Sequence, residues 1–253
     1  MRRDILGVPC DALTMPEMLA LAENAICQRR PLLQGSLNVA KLVKLGRDQE
    51  LRRDLLASDV LCADGMGIVL AGRLLGQDLP ERIAGIDLMM ALLKLAAERR
   101  YRPYFLGGEP AAVEGAVAAA TEAFPGLVPA GARDGFFTPG EEAGIVADIC
   151  ASGADMLFVA LQTPAKEHFL ARWRDQLGIP FMMGVGGAFD VLAGRTRRAP
   201  LAMQRVGLEW LWRLLQEPRR LGWRYASTNV VFGCMLLAAL LKQRLPKLAR
   251  RPA

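Results

Sequence analysis

The stretch Phe181-Met-Met-Gly184-Val-Gly186-Gly187-Ala-Phe-Asp190-Val-Leu-Ala-Gly194-Arg195-Thr-Arg-Arg198-Ala-Pro200 passes from an apolar run through clustered glycines and an acid into a basic segment. Its first four residues have the length and composition of a buried strand. Glycines directly after a strand let backbone N–H groups approach a ligand closely, and a helix opening there favours phosphate. The stretch therefore predicts a nucleotide pocket at a strand end. It resembles a dinucleotide fingerprint but departs from Gly-x-Gly-x-x-Gly, because Phe189 stands where the third glycine belongs.

Outward from this stretch, short apolar runs alternate with helical patterns. Thr14-Met-Pro-Glu17 reads as a capping box opening a helix to about Cys27. Leu32–Leu37 reads as a strand ending at Asn38, with one helix from there to about Leu56. Val60–Ala63 is a strand ending at Asp64, the run 104–106 a strand meeting Gly107 and Gly108, and 156–161 a strand meeting Gln162. Helices are expected over 87–100, 110–124, 141–151 and 164–177. Repeated strand-then-helix units predict an α/β fold, a mainly parallel sheet with helices on both faces. Ligands of such sheets bind beyond the carboxyl ends of the strands. Asn38, Asp64, Gly107, Gly108, Gln162 and the segment 184–190 all fall at such ends, which predicts one cleft.

Charge divides the chain near Gly194. Residues 1–194 carry 19 Lys and Arg against 24 Asp and Glu, whereas residues 195–253 carry 13 against two. The basic charge thus belongs to the tail and calls for an anionic partner: a membrane surface, nucleic acid or a lipid phosphate. We divide the chain into a domain over 1–194 and a basic, Trp- and Leu-rich appendage over 195–253. The appendage opens with a helix rich in Leu and Trp around 208–215, stopped by Pro218. Its run 230–241 is twelve residues without charge, too short to cross the hydrocarbon at about 20 residues per span. Flanking bases fit it to the membrane interface; a buried helix or an oligomer contact is the other reading. With 52% apolar residues the chain is not disordered. Its five scattered cysteines form no metal-ligand spacing and are expected as reduced, buried thiols of a cytoplasmic protein. The first residues lack the apolar stretch of a secretory signal.

The single histidine, His168, leaves His-based triads and His-rich metal sites poorly supported, and it is expected in a structural or surface role. Gly-x-Ser-x-Gly, the P-loop, His-Glu-x-x-His and Asp-x-Asp are absent. Asp64, between a strand and flexible glycines, has the placement of a general base, though Asp-Gly also marks ordinary turns. Asn38 would orient a hydroxyl or cap the next helix. Arg82 is either a phosphate fork or a solvated loop arginine. Lys166 and the start of its helix would both face phosphate.

Taken together and in order, several segments resemble the WecG/TagA/CpsF glycosyltransferases, glycosyltransferase family 26. They are Leu37-Asn38-Val39, Ala63-Asp64-Gly65-Met66-Gly67, Glu81-Arg82-Ile83-Ala84-Gly85-Ile86-Asp87-Leu88, Phe105-Leu106-Gly107-Gly108, Asp134-Gly135-Phe136-Phe137, Val185 to Asp190, Gly194 to Pro200, and Leu208-Glu209-Trp210 through Glu217-Pro218-Arg219-Arg220-Leu221. The resemblance implies a Rossmann-like core and an inverting transferase, moving sugar from a UDP-sugar donor to a lipid-diphosphate-saccharide acceptor. It implies no cofactor and no metal, UDP-sugar being a substrate. It matches the base to Asp64 and an acceptor-side asparagine to Asn38. Gly186, Gly187 and Asp190 match the nucleotide-contacting segment, with Phe136 or Phe137 stacking on uracil. Arg213, Arg219, Arg220 and Arg224 match an appendage that completes the site at the membrane. Where the family reads Pro-Lys-Gln-Glu, this chain has Pro164-Ala-Lys166-Glu167, so a lysine replaces a donor-side glutamine. Leu37 to Lys41 resembles the exopolysaccharide branch and implies a glucose-type donor. The expected place is the cytoplasmic face of the inner membrane, as a peripheral, monotopic protein on an anionic surface, without nucleic acid and with homo-oligomerisation open. The rival readings are an NAD(P)-dependent oxidoreductase using Gly184–Gly187 and a non-enzymatic membrane adaptor.

Overall fold

The structure is a computed structural model. It describes the backbone of residues 1–205, 207–216 and 218–248, and their side chains except 201, 205, 213, 219–221, 223–225 and 244–248. Six strands form one parallel sheet: β3 (Leu32–Leu37), β4 (Val60–Ala63), β5 (Pro103–Gly107), β6 (Gly131–Arg133), β7 (Met156–Ala160) and β8 (Phe181–Gly184), in the order β4-β3-β8-β7-β5-β6. Every neighbouring pair is parallel, as the alternation of strand and helix predicts.

The strands alternate strictly between the two faces. Val60, Cys62, Phe105, Phe158 and Met183 point to a core shared with α1 (Met15–Cys27), α5 (Gly85–Arg99), α6 (Pro110–Ala123) and the short α9 (Ala188–Leu192). Leu106, Leu157, Val159 and Met182 point the other way, onto α7 (Glu142–Ala151) and α8 (Ala165–Leu177). Leu37, Leu61 and Ala63 join them on that face, against α2 (Val39–Leu45), α3 (Gln49–Leu56) and α4 (Met66–Leu74). Both faces are covered, so the strands read as continuous apolar runs.

Thr14 makes the expected capping box with Glu17 at the start of α1. The single helix expected after Asn38 is two, because Gly46 closes α2 and the Asp48 carboxylate accepts from Leu51 N at 2.9 Å to open α3. An N-terminal hairpin, β1 (Arg2–Ile5) with β2 (Val8–Asp11), was not read from the sequence. It turns at Leu6 and Gly7, both at positive φ. Asp11 accepts from Leu61 N at 2.9 Å, so the hairpin covers the outer edge of β4 and leaves no bare strand there. Of the five free cysteines only Cys10 and Cys62 are buried; Cys27, Cys150 and Cys234 are exposed, against the expectation of five buried thiols. Burial pushes the Cys10 and Cys62 thiols up to about 12.

After Gly194 come α10 (Leu201–Arg205), α11 (Glu209–Gln216) and α12 (Pro218–Leu248). Pro218 therefore opens a helix, where proline is tolerated. The apolar run expected to be too short to cross a membrane is extended in α12 to the 18-residue segment Ala226–Gln243, long and apolar enough to do so by length and composition, with no residue of it buried. Phe232, Met235 and Leu236 pack against the cluster beneath α2, and Gln243 Nε2 donates to Leu75 O at 3.3 Å. The opposite face, with Val230, Leu237 and Leu241, is exposed. Only one side of an all-round apolar helix is covered.

Candidate active site

The predicted site residues gather where the strands end. Asp64 follows β4, and its N–H donates to Leu37 O of β3 at 2.8 Å. Ile83 N donates to Ala63 O at 2.9 Å, which draws residues 80–84 along the end of β4. The start of α5 then lies beside Asp64, whose Oδ1 accepts from Gly85 N at 3.2 Å. One strand away, Asn38 caps α2, its Oδ1 accepting from Lys41 N at 3.0 Å. The cap uses the oxygen and leaves the Nδ2 amide for another partner. A Cβ placed on Gly65 would lie 3.8 Å from Asn38 Cβ, so the two strand ends adjoin.

Beneath them is a buried trio of charges. Glu167 Oε1 lies 3.0 Å from Lys41 Nζ and 2.8 Å from Lys166 Nζ. Lys41 also donates to Ser36 O at 2.7 Å, and Lys166 to Thr163 Oγ1. Burial, and then the neighbouring Lys41, bring the Lys166 ammonium down to about 8, while Glu167 and Asp64 oppose that fall. Burial alone would raise the Glu167 carboxyl, but the two lysines outweigh it and hold it below its ordinary value. Lys166 is 6% exposed, its stem against Gly184. It is thus a compensated cation under the strand ends, where the sequence suggested one presented outward.

On the other side of the sheet, Gly107 (φ +111°) approaches Ala160 so closely that a Cβ would meet backbone at 2.7 Å. Gly108 O accepts from Gly135 N at 2.8 Å, which lays the loop 134–137 over the two glycines. This separates the two aromatic candidates. Phe137 packs on Phe169 with ring centroids 6.2 Å apart, whereas Phe136 is 71% exposed. Gly186 takes positive φ (+54°) after β8, and Gly187 caps α9. Asp190 on α9 is held by Arg195, whose Nη1 lies 3.4 Å from its Oδ1. Gln162 stands exposed after β7, its carbonyl accepting from Lys166 N at 3.2 Å.

Arg82 is not a solvated loop residue. Its Nη1 meets Glu209 Oε2 at 2.9 Å and its Nη2 meets Asp87 Oδ2 at 3.5 Å. Arg198 Nη1 lies 2.6 Å from the other oxygen of Asp87, and Asp64 is within electrostatic reach of its guanidinium. Glu209 and Arg198 belong to the appendage, so these pairs fasten it beside Asp64. Gly207 rests on Met66, where a Cβ would come within 2.5 Å of the methionine Cβ. The side chains of Arg213, Arg219, Arg220 and Arg224 lie outside the described residues.

His168 has the structural role expected: its Nδ1 lies 2.5 Å from Asp54 Oδ2 and ties α8 to α3. Glu50 stands near this pair, and Arg53 Nη2 and Nε reach the Glu50 and Asp54 carboxylates at 3.5 and 3.1 Å. Lys41, Glu167, Asp87, Arg198 and Glu209 were not singled out as site residues from the sequence. Their spacing along the chain carries no signal; only the parallel sheet brings 41 to 167, and only the returning appendage brings 209 to 82.

Fold and site together define an α/β protein whose polar side chains converge at the carboxyl edge of a parallel sheet, the place where such folds take nucleotides. The chain belongs to the Glycosyl transferase WecG/TagA/CpsF family, whose model matches residues 3–246, as the motifs implied. A Bacillus spizizenii relative, named N-acetylglucosaminyldiphosphoundecaprenol N-acetyl-beta-D-mannosaminyltransferase, is 39% identical over 171 residues. The match covers 67% of this chain and 65% of the relative, a little under two thirds of the latter's length.

Proposed function

We propose that this protein is an inverting glycosyltransferase that moves a sugar from a UDP-sugar to a polyprenyl-diphosphate-linked saccharide, with Asp64 as general base. The observation that carries the reading is the position of Asp64: at a strand end, oriented by Gly85 N–H, with Lys166 and Arg198 in electrostatic reach, in a chain of this family. Asp64 takes the proton of the acceptor hydroxyl. The hydroxyl oxygen bonds to the anomeric carbon from the face opposite UDP, and the bond from that carbon to the diphosphate oxygen breaks. The electron pair leaves with UDP. Base catalysis of this kind contributes about 10²–10⁴-fold. Asn38 orients the acceptor through its amide, Phe136 stacks on uracil, and backbone N–H groups at Gly186 and Gly187 receive the nucleotide beside Gly107 and Gly108, the Gly108 N–H itself being held by Ala160 O at 3.1 Å.

Cationic side chains take the charge of the departing diphosphate, in the role a metal would otherwise fill. The exposed apolar face of α12 lies in the interface of the cytoplasmic leaflet, where the acceptor is anchored, while its other face rests on the domain. The name of the Bacillus relative favours an N-acetylglucosaminyl-diphospho-lipid acceptor and an N-acetylmannosaminyl donor over the glucosyl donor implied by Leu37–Lys41. The test is UDP release against UDP-sugars of both kinds, with a short-chain lipid-diphosphate N-acetylglucosamine as acceptor. Release that requires donor and acceptor together supports the reading. No release, with NAD(P) but not UDP raising the melting temperature, contradicts it.

A further inference from the structure

Arg198 is the unusual cation of the site. Its Nη1 is bonded to Asp87, but Nε and Nη2 are buried and have no hydrogen-bond partner among the described residues. These two nitrogens form the side of the guanidinium whose parallel N–H groups match two oxygens of one phosphate. Glu209 Oε1 stands 4.0 Å from Nε, beyond hydrogen-bond distance, while the other Glu209 oxygen is committed to Arg82 at 2.9 Å. Asp87 likewise divides its two oxygens between Arg82 and Arg198. Two acids thus hold two arginines in one ring, and the ring leaves one bidentate edge unmet. Such an edge is costly to bury without a partner, because a charged donor gives up water for nothing.

We propose that Arg198 is a diphosphate-binding residue, its Nε/Nη2 edge receiving two oxygens of a substrate diphosphate beside Asp64, and that Asp87 and Glu209 are positioning residues that aim it. The proposal rests on the transferase reading and assigns to that site a cation from the appendage. Diphosphate is the chemistry common to the nucleotide donor and the lipid-linked acceptor. The edge sits where the start of α5, the end of β4 and α11 converge, so one residue couples docking of the appendage to occupancy of the cleft.

The test compares Arg198→Gln and Arg198→Lys with wild type in UDP release, with KM measured separately for donor and lipid acceptor and UDP affinity measured by competition. We expect Arg198→Gln to weaken one of these, donor or acceptor, by about tenfold or more, with Arg198→Lys intermediate because it keeps the charge and loses the fork. A rise in donor KM and UDP dissociation constant assigns the edge to the nucleotide; a rise in acceptor KM alone assigns it to the lipid diphosphate. Arg172→Gln, which removes an arginine paired with Glu142 on α7, leaves both unchanged. Should Arg198→Gln not fold, Arg198→Lys decides alone. Folded variants with both KM values within twofold of wild type, even if less stable, would make Arg198 a latch only and overturn the proposal. A wild-type protein that neither binds UDP nor releases it would overturn the transferase reading and this inference together, a distinguishable result.

Discussion

Asp64, Lys166 and Phe136 are each defined by what surrounds them. Phe136 is exposed over Gly107 and Gly108, and Phe137 is committed to Phe169, so the two adjacent rings separate by experiment. Phe136→Ala should weaken UDP binding by about tenfold, the scale of one base stacked on an aromatic ring, with stability kept. Phe137→Ala should do the reverse, costing on the order of 2 kcal/mol of stability for a half-buried ring. Isothermal titration with UDP and urea unfolding check both. Lys166 predicts a pH dependence. Its folded pKa of about 8 lies below the 10.5 of a free lysine. Between those values the unfolded chain binds the proton and the folded chain does not, so this group adds stability as pH rises from about 8 to about 10.5. Lys166→Gln removes that rise. The stability difference between the variant and wild type should therefore shift by roughly 1–3 kcal/mol toward wild type over this interval, measured by urea unfolding at pH 7.5 and 10.

At the scale of elements, the strands of the sheet other than β6 were legible because each is a short apolar run, ended by Asn, Asp or Gly at β3, β4, β5 and β8 and by Gln162 at β7, and β3, β4 and β8 fall where the residues placed them. What escaped the sequence was set by tertiary contact. The strands β1 and β2 are four residues each and gain their burial only by lying on the edge of β4. The three-residue β6 exists because β5 offers it a ladder. The ring joining Arg82, Asp87, Arg198 and Glu209 needs α11 folded back onto the end of β4. Helix α12 was legible as apolar but not in its division of faces, because 3.6-residue periodicity marks no boundary where both sides are apolar. That division predicts an outcome. Leu237→Glu with Leu241→Glu, on the uncovered face, should reduce binding to anionic vesicles by about tenfold or more while UDP affinity holds, since each leucine leaves apolar surroundings for a charge. Vesicle co-sedimentation measures the first and titration the second.

At the scale of the whole molecule, charge and shape agree on one arrangement. The net-acidic residues 1–194 carry the parallel sheet, and the basic stretch after 194 returns to its carboxyl edge to place Arg198 and Glu209 among the residues that follow β4. Positive charge reaches Asp64 from side chains of both parts, Lys166 and Arg198. Sugar transfer should accordingly persist in excess EDTA and show no more than a twofold gain on adding magnesium or manganese, measured as UDP release. The central claim is that one carboxylate removes the acceptor proton while other groups hold the nucleotide. The direct measurement is Asp64→Asn assayed for UDP affinity and for acceptor-dependent UDP release on the same preparation. The account predicts UDP affinity within about threefold of wild type and turnover lowered by about 10²-fold or more; turnover equal to wild type would contradict it.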